Sequence, residues 1–189
     1  MNTVIVTGGA GFIGSNVITG LLEKKYKVVC LDNFDDTYDP AMKESNIAPF
    51  LKNPDFVLER ADICDAEGLK KVFETHKPKF VVHLAAKADT RDAVKTPRIY
   101  TVINIDGTLN VLECSREFSV ENLVIASSSS VYGNSEKTPW QESEAADKPL
   151  SPYGATKRAI ELVAYTYHHN FGMNISCLRY GNCVGSRGS

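Results

Sequence analysis

The chain has 189 residues, 43% of them hydrophobic and 23% charged, enough for one domain with a sizeable core and ordinary for a globular protein. A formal charge of -2 gives no reason to expect nucleic acid or an anionic membrane surface as partner, and no apolar run approaches the length of a membrane span. The five cysteines, Cys30, Cys64, Cys114, Cys177 and Cys183, are scattered and form no Cys-x-x-Cys; with no signal peptide in view, they suit buried thiols in a reducing, cytoplasmic setting better than disulfides or a metal site.

Short β-branched runs alternate with longer helical patterns along the chain. The first strand is expected at residues 3–7, followed by a glycine-rich turn and a helix over 13–24. A second strand over 27–31 closes on Asp32. A third follows at 56–58, then a helix over 66–75 and a strand over 80–84. One long helix is expected from Tyr100 to Glu117, then a strand over 123–126. Four consecutive serines, Ser127 to Ser130, come next. The irregular stretch from Tyr132 to Pro152 is broken by Pro139, Pro149 and Pro152, and its length inside a compact domain marks it as a wall for a site. A helix over 153–170 and a sixth strand over 175–178 complete the pattern. Strands near-continuous in Val, Ile and Leu imply burial on both faces. The fold class expected is therefore α/β, a Rossmann-type doubly wound parallel sheet flanked by helices, occupying 1–189 as one dinucleotide-binding domain.

Two motifs carry chemistry. Thr7-Gly8-Gly9-Ala10-Gly11-Phe12-Ile13-Gly14 follows the first strand and opens the first helix. It fits Gly-x-Gly-x-x-Gly from Gly9 and a close variant from Gly8. Glycines there permit a tight turn and close approach to a pyrophosphate, and the helix N-terminus offers free N–H groups. Asp32, ending the second strand, is placed to accept both hydroxyls of an adenosine ribose and to repel a 2′-phosphate, which favours NAD over NADP. The second motif is Tyr153-Gly-Ala-Thr-Lys157, which sets both side chains on one helix face. A neighbouring ammonium is expected to lower the phenol pKa, so that Tyr153 exchanges a proton with a sugar or alcohol hydroxyl. His168 and His169 are adjacent and point to different faces, and no metal site is expected.

These motifs, with Asp32-Asn33-Phe34, Asp62-Ile63, His83-Leu84-Ala85-Ala86, Asn104-Ile105-Asp106-Gly107-Thr108, the serine run through Gly133, and Leu178-Arg179-Tyr180, resemble the extended short-chain dehydrogenase/reductases of the nucleotide-sugar epimerase/dehydratase group. Tyr38-Asp39-Pro40 with Lys43, and Ser151 to His168, are most similar to UDP-sugar 4-epimerases, the UDP-glucuronate enzymes in particular. The resemblance implies NAD as cofactor, a UDP-sugar substrate and a 4-keto intermediate. It implies that Gly8, Gly11, Phe12 and Ile13 meet the pyrophosphate, Asp32 and Asn33 the ribose, Asp62 and Ile63 the adenine, and Leu84, Ala85, Ala86 and Asn104 the cofactor's other half. Ser128, Tyr153 and Lys157 match the catalytic positions, and Arg91 and Asn182 positions near the substrate. Each has a plainer reading. Asp62 caps a helix near Asp65, Asn104 is a buried structural amide, Arg91 sits in a surface ion pair, and Ser128 is one of four interchangeable hydroxyls.

Dehydratases of the group place acids just after the Ser/Thr, where this chain has Ser129 and Ser130, which argues against dehydration. Lys87, Ala88 and Asp89 depart from the commoner neutral residues, and the tail Arg179 to Ser189 is more similar to that of some 4,6-dehydratases. Family members continue into a C-terminal substrate lobe for which no sequence is seen here. A non-catalytic NAD-binding fragment and a 4,6-dehydratase stay open as alternatives. A homodimer through the helices at 100–117 and 153–170 is expected by resemblance.

Overall fold

The computed structural model describes every residue except Met1, Tyr38, Lys137, Thr138, Gly188 and Ser189, so Tyr38 of the Tyr38-Asp39-Pro40 motif and the end of the tail lie outside the described residues. Six strands, β1 (Thr3–Thr7), β2 (Lys27–Asp32), β3 (Phe56–Arg60), β4 (Phe80–His83), β5 (Asn122–Ser128) and β6 (Ile175–Tyr180), form one sheet in the order β3-β2-β1-β4-β5-β6. Every neighbouring pair is parallel. Among the described residues seven α-helices cover it: α1 (Phe12–Glu23), α2 (Pro40–Ile47), α3 (Ala66–His76), α4 (Thr90–Lys95), α5 (Pro97–Thr101), α6 (Gly107–Glu117) and α7 (Pro152–Phe171). This is the expected doubly wound Rossmann-like architecture.

The apolar runs of the central strands divide between two cores, one on each face of the sheet. Val4, Val6, Val28 and Cys30 point to one face, where they meet Ile18 of α1 and Ile47 of α2. Ile5, Val29 and Leu31 point to the other, against Leu69 and Phe73 of α3 and Leu112 of α6. Alternate residues of one strand thus serve opposite cores, so a central strand is apolar throughout rather than alternating. The order reverses between β1 and β4, and the loops leaving their C-terminal ends diverge there, leaving a crevice.

Three expectations need correction. The single helix from Tyr100 to Glu117 is instead α5, a π-helical segment (Val102–Asp106) and α6. Asn104 lies in that segment with its amide bonded to the Lys87 backbone, and a Cβ on Gly107 would lie 2.7 Å from Ile63 Cδ1, so both positions are held against the neighbouring loops. Helix α2 escaped the periodicity because it buries only Lys43, Asn46 and Ile47; its start is fixed by Asp39, which accepts from the Ala41 N–H, and by Pro40 in the first turn. The five thiols are free, but Cys64 and Cys183 are exposed rather than buried. Among the described residues no helix is long and apolar enough to cross a membrane, and no group of His, Cys, Asp or Glu is arranged to hold a metal ion.

Candidate active site

A cleft of about 330 Å³ opens at the C-terminal ends of β1, β2 and β4. Of the residues singled out from sequence, Gly8, Gly11, Phe12, Ile13, Asp32, Asn33, Asp62, Ile63, Leu84, Ala85 and Ala86 all line it. Gly8 has φ +66°, and a Cβ there would lie 2.8 Å from the Ala85 nitrogen. A Cβ on Gly14 would strike the Gly8 carbonyl oxygen. Gly9 instead backs onto Cys30 Sγ in the core, so the cleft side of the loop is made by Gly8, Gly11 and Gly14. Gly11 caps α1 without any side-chain hydrogen bond, and the helix N-terminus faces the cleft.

Asp32 is 4% exposed and fully engaged. Its Oδ2 accepts from Ala10 N at 3.1 Å, and its Oδ1 accepts from Phe34 N at 2.9 Å and Lys43 Nζ at 3.1 Å. The Lys43 ammonium offsets the Asp32 charge, which weakens the expectation that this carboxylate repels a 2′-phosphate. Asn33 donates to Asp62 Oδ2 at 3.0 Å, while Asp62 Oδ1 accepts from Cys64 N. The α3 cap is Asp65, which leaves Asp62 at the cleft.

The opposite wall hangs on a buried chain of hydrogen bonds. Thr7 Oγ1 accepts from the Leu84 and Ala85 N–H groups, both at 3.2 Å, and lies 2.7 Å from His83 Nδ1. Its one hydrogen therefore points at Nδ1, and the proton of the His83 ring sits on Nε2, which donates to Thr108 Oγ1 at 2.9 Å. Thr108 in turn donates to the Asn104 carbonyl. Burial, with the Lys157 charge nearby, pushes the His83 pKa down to about 3. Asn104 is fully buried and outside the cleft lining. Its Oδ1 accepts from Lys87 N, and its Nδ2 donates to Lys87 O and Thr156 Oγ1. It holds the wall from behind.

Ser128, Tyr153 and Lys157 converge at the end of β5. Strand alternation separates the serines: Ser127 donates to Glu161 Oε1 at 2.6 Å, whereas Ser128 faces Tyr153 and donates to Ser130 Oγ at 3.1 Å. Ser128 Oγ also accepts from Ser130 N, starting a 3₁₀ turn (Ser129–Tyr132). Tyr153 is 8% exposed. Contrary to the expected lowering, burial pushes its pKa up, with the Ser128 hydrogen bond working against that shift. The Lys157 Nζ lies 5.9 Å from the ring centre and donates to the Ala126 carbonyl at 2.8 Å. Desolvation lowers the Lys157 pKa to about 8. Ala126 itself lines the cleft, so the triad lies directly behind its wall. Arg91 and Asn182 are exposed, on α4 and past β6, and neither lines the cleft.

Sequence reasoning missed Asp35, Thr37, Lys43, Lys87 and Asp89 as cleft-lining residues. The departure of Lys87-Ala88-Asp89 from the commoner residues was the one available signal.

A six-stranded parallel sheet with its glycine turn and a strand-end acid at the switch point defines a dinucleotide-binding α/β protein of the Rossmann class. Residues 5–189 match the family described as GDP-mannose 4,6 dehydratase, and the chain belongs to that family. It is 42% identical over 188 residues to the UDP-glucuronate 4-epimerase of Thermodesulfobacterium geofontis (strain OPF15), covering all of this chain and 58% of the relative. It is 42% identical over 187 residues to UDP-glucuronate 4-epimerase 3 of Arabidopsis thaliana, covering 98% of this chain and 43% of the relative. Among solved structures it is similar to the Bacillus cereus UDP-glucuronic acid 4-epimerase in complex with UDP-glucuronic acid and NAD, with a TM-score of 0.87 and 35% identity over 94% of this chain and 56% of that one. The Thermotoga maritima UDP-glucose 4-epimerase with UDP-glucose gives a TM-score of 0.87 and 33% identity, over 98% of this chain and 57% of that one. The chain therefore spans about half the length of the relatives it matches. The epimerase resemblance of the motifs is borne out.

Proposed function

We propose that the protein epimerises a UDP-sugar at C4, of the UDP-glucuronate or UDP-glucose type, through a 4-keto intermediate with NAD as resident cofactor. The observation that carries this reading is the convergence of Ser128, Tyr153 and Lys157 behind Ala126, at the edge of a cleft built for a dinucleotide. The cleft residues fit NAD: Gly8 and Gly14 leave no room for a side chain, the α1 N-terminus presents N–H groups, and Asp32, Asn33 and Asp62 present polar atoms for an adenosine. Bound there, NAD supplies a nicotinamide that accepts a hydride from C4 and returns it to the other face. In this reading Leu84, Ala85 and Ala86 lie against the cofactor, and Asn104 fixes them indirectly.

Tyr153 takes the proton of the sugar 4-hydroxyl. It does so as phenolate, its own proton having passed to solvent; burial disfavours that form, so a neighbouring cation is needed to hold it. Lys157, one turn along α7 and buried beside it, is that cation. Ser128 shares the hydrogen bond with the phenol and fixes its direction. Arg91 and Asn182 are assigned to the substrate side on the strength of the resemblance alone. The homologues named 4-epimerases support epimerisation over dehydration, as do Ser129 and Ser130, whose hydroxyls are poor proton donors where elimination of water needs a carboxylic acid. The residues at 1–189 are read as the cofactor domain, with the substrate lobe of the longer relatives outside this chain. Exposed Ile99, Val102, Leu162 and Tyr165 support pairing with a second copy, and free thiols support a cytoplasmic setting.

The deciding experiment incubates the protein with NAD and UDP-glucuronate, or UDP-glucose, and separates the sugar products. Appearance of the C4 epimer supports the reading. Full NAD occupancy without turnover points to a binding fragment instead, and a 4-keto-6-deoxy product by mass spectrometry to a dehydratase.

A further inference from the structure

Lys87 does more than line the cleft. Strands β2 and β4 flank β1 in the sheet, so the loops leaving their C-terminal ends stand two strand spacings apart, about 10 Å, on either side of the glycine turn. Lys87 sits on the β4 side, and Asp35 and Thr37 on the β2 side. The lysine side chain crosses the gap: its Nζ donates to Thr37 Oγ1 at 3.0 Å and lies 3.9 Å from Asp35 Oδ1. Both ends of this span are anchored. Asn104 grips the N–H and the carbonyl of Lys87 together, and is itself buried and bonded to Thr156 on α7. Across the cleft, Asp35 Oδ1 accepts from Thr37 N at 2.9 Å, and Asn33 Oδ1 accepts from Asp35 N at 3.0 Å, which folds that loop into two successive turns.

From this we infer that Lys87 is a clasp that retains the dinucleotide, closing the cleft from wall to wall beside the glycine turn. The inference rests on the dinucleotide reading above. A bound cofactor leaves through this gap, and the Lys87–Thr37 bond must break first. The bond is partly exposed, so its effect is modest and kinetic, and removal speeds release about two- to five-fold. Thr37 and Lys87 act as one unit, whereas a lysine that merely contacts a cofactor phosphate is indifferent to Thr37.

The test measures release of NADH from the intact chain by stopped-flow fluorescence, chased with excess NAD. Five proteins are compared: unaltered, Lys87→Ala, Thr37→Val, the double variant, and Lys87→Gln as a second probe of the lysine. The expected result is faster release in each single variant, by a similar factor, and no further gain in the double. Release from Thr37→Val at the unaltered rate, or additive effects in the double variant, overturns the clasp. Failure of the unaltered chain to bind NADH overturns the dinucleotide reading and the clasp with it; binding with equal release rates in all variants overturns the clasp alone.

Discussion

His83 makes the stability of this fold depend on pH in a way that can be worked out in advance. The ring is 3% exposed, and its two nitrogens are committed to Thr7 and Thr108. A second proton on Nδ1 would face Thr7 Oγ1, whose hydrogen already points at the ring because its lone pairs serve the Leu84 and Ala85 N–H groups. The folded pKa is about 3, against an ordinary 6.5. Between those values the unfolded chain binds one more proton than the folded one, so stability rises with pH across the window. The contribution is complete above pH 6.5 and is lost as the pH falls. One unit below, at about pH 5.5, the loss is about 1 kcal/mol, and it grows as the pH falls toward the folded pKa. Replacing His83→Gln removes the titration. Urea unfolding of both proteins at pH 7.5, 6.5 and 5.5 isolates the effect, because the carboxylates common to both cancel in the difference. The gap in unfolding free energy should close by about 1 kcal/mol between pH 7.5 and 5.5. Parallel pH profiles would refute the assignment of a neutral, buried His83.

Tyr153→Phe should lower epimerisation by about 10²- to 10⁴-fold while NAD binding, followed by calorimetry, stays near the unaltered value; a matching loss of NAD affinity would point to a packing role. Lys157→Met removes a buried ammonium whose pKa burial has lowered to about 8, and is expected to raise the urea midpoint, by about 1–3 kcal/mol in stability, while abolishing turnover. A destabilised variant would show that the Ala126 hydrogen bond outweighs the desolvation. Gly14→Ala drives a Cβ into the Gly8 carbonyl and should abolish NAD binding by titration calorimetry, whereas Gly20→Ala, with open space around its Cβ, should leave it intact.

Much of the cleft was legible because its residues are tied to strand ends. Thr7 to Gly14 could be placed from a strand, a turn and a helix start in immediate succession, and Asp32 from the end of the next strand. The residues missed, Lys43 of α2 apart, lie on the loops over 33–37 and 84–89, whose course depends on hydrogen bonds between distant segments. Lys87 reaches Thr37 fifty positions away, and Asn104 reaches Lys87 across the break between α5 and α6. Neither link leaves a periodic trace. The same holds for α2, held by a cap and by burial of Lys43 against Asp32 rather than by an apolar stripe.

The sequence by itself determined the parallel α/β class, the glycine turn and the pairing of Tyr153 with Lys157 on one helix face, because each follows from local spacing and backbone sterics. Only the tertiary structure decided what those groups experience. It placed Lys43 against Asp32 and gave Ser128 rather than Ser127 to Tyr153. It sent the Lys157 ammonium to the Ala126 carbonyl and buried the Tyr153 phenol, whose pKa rises through that burial instead of falling. Charge, burial and hydrogen-bond direction are set by neighbours far away in the chain. Spacing fixes which residues meet on one element, and packing between elements fixes their protonation and reach.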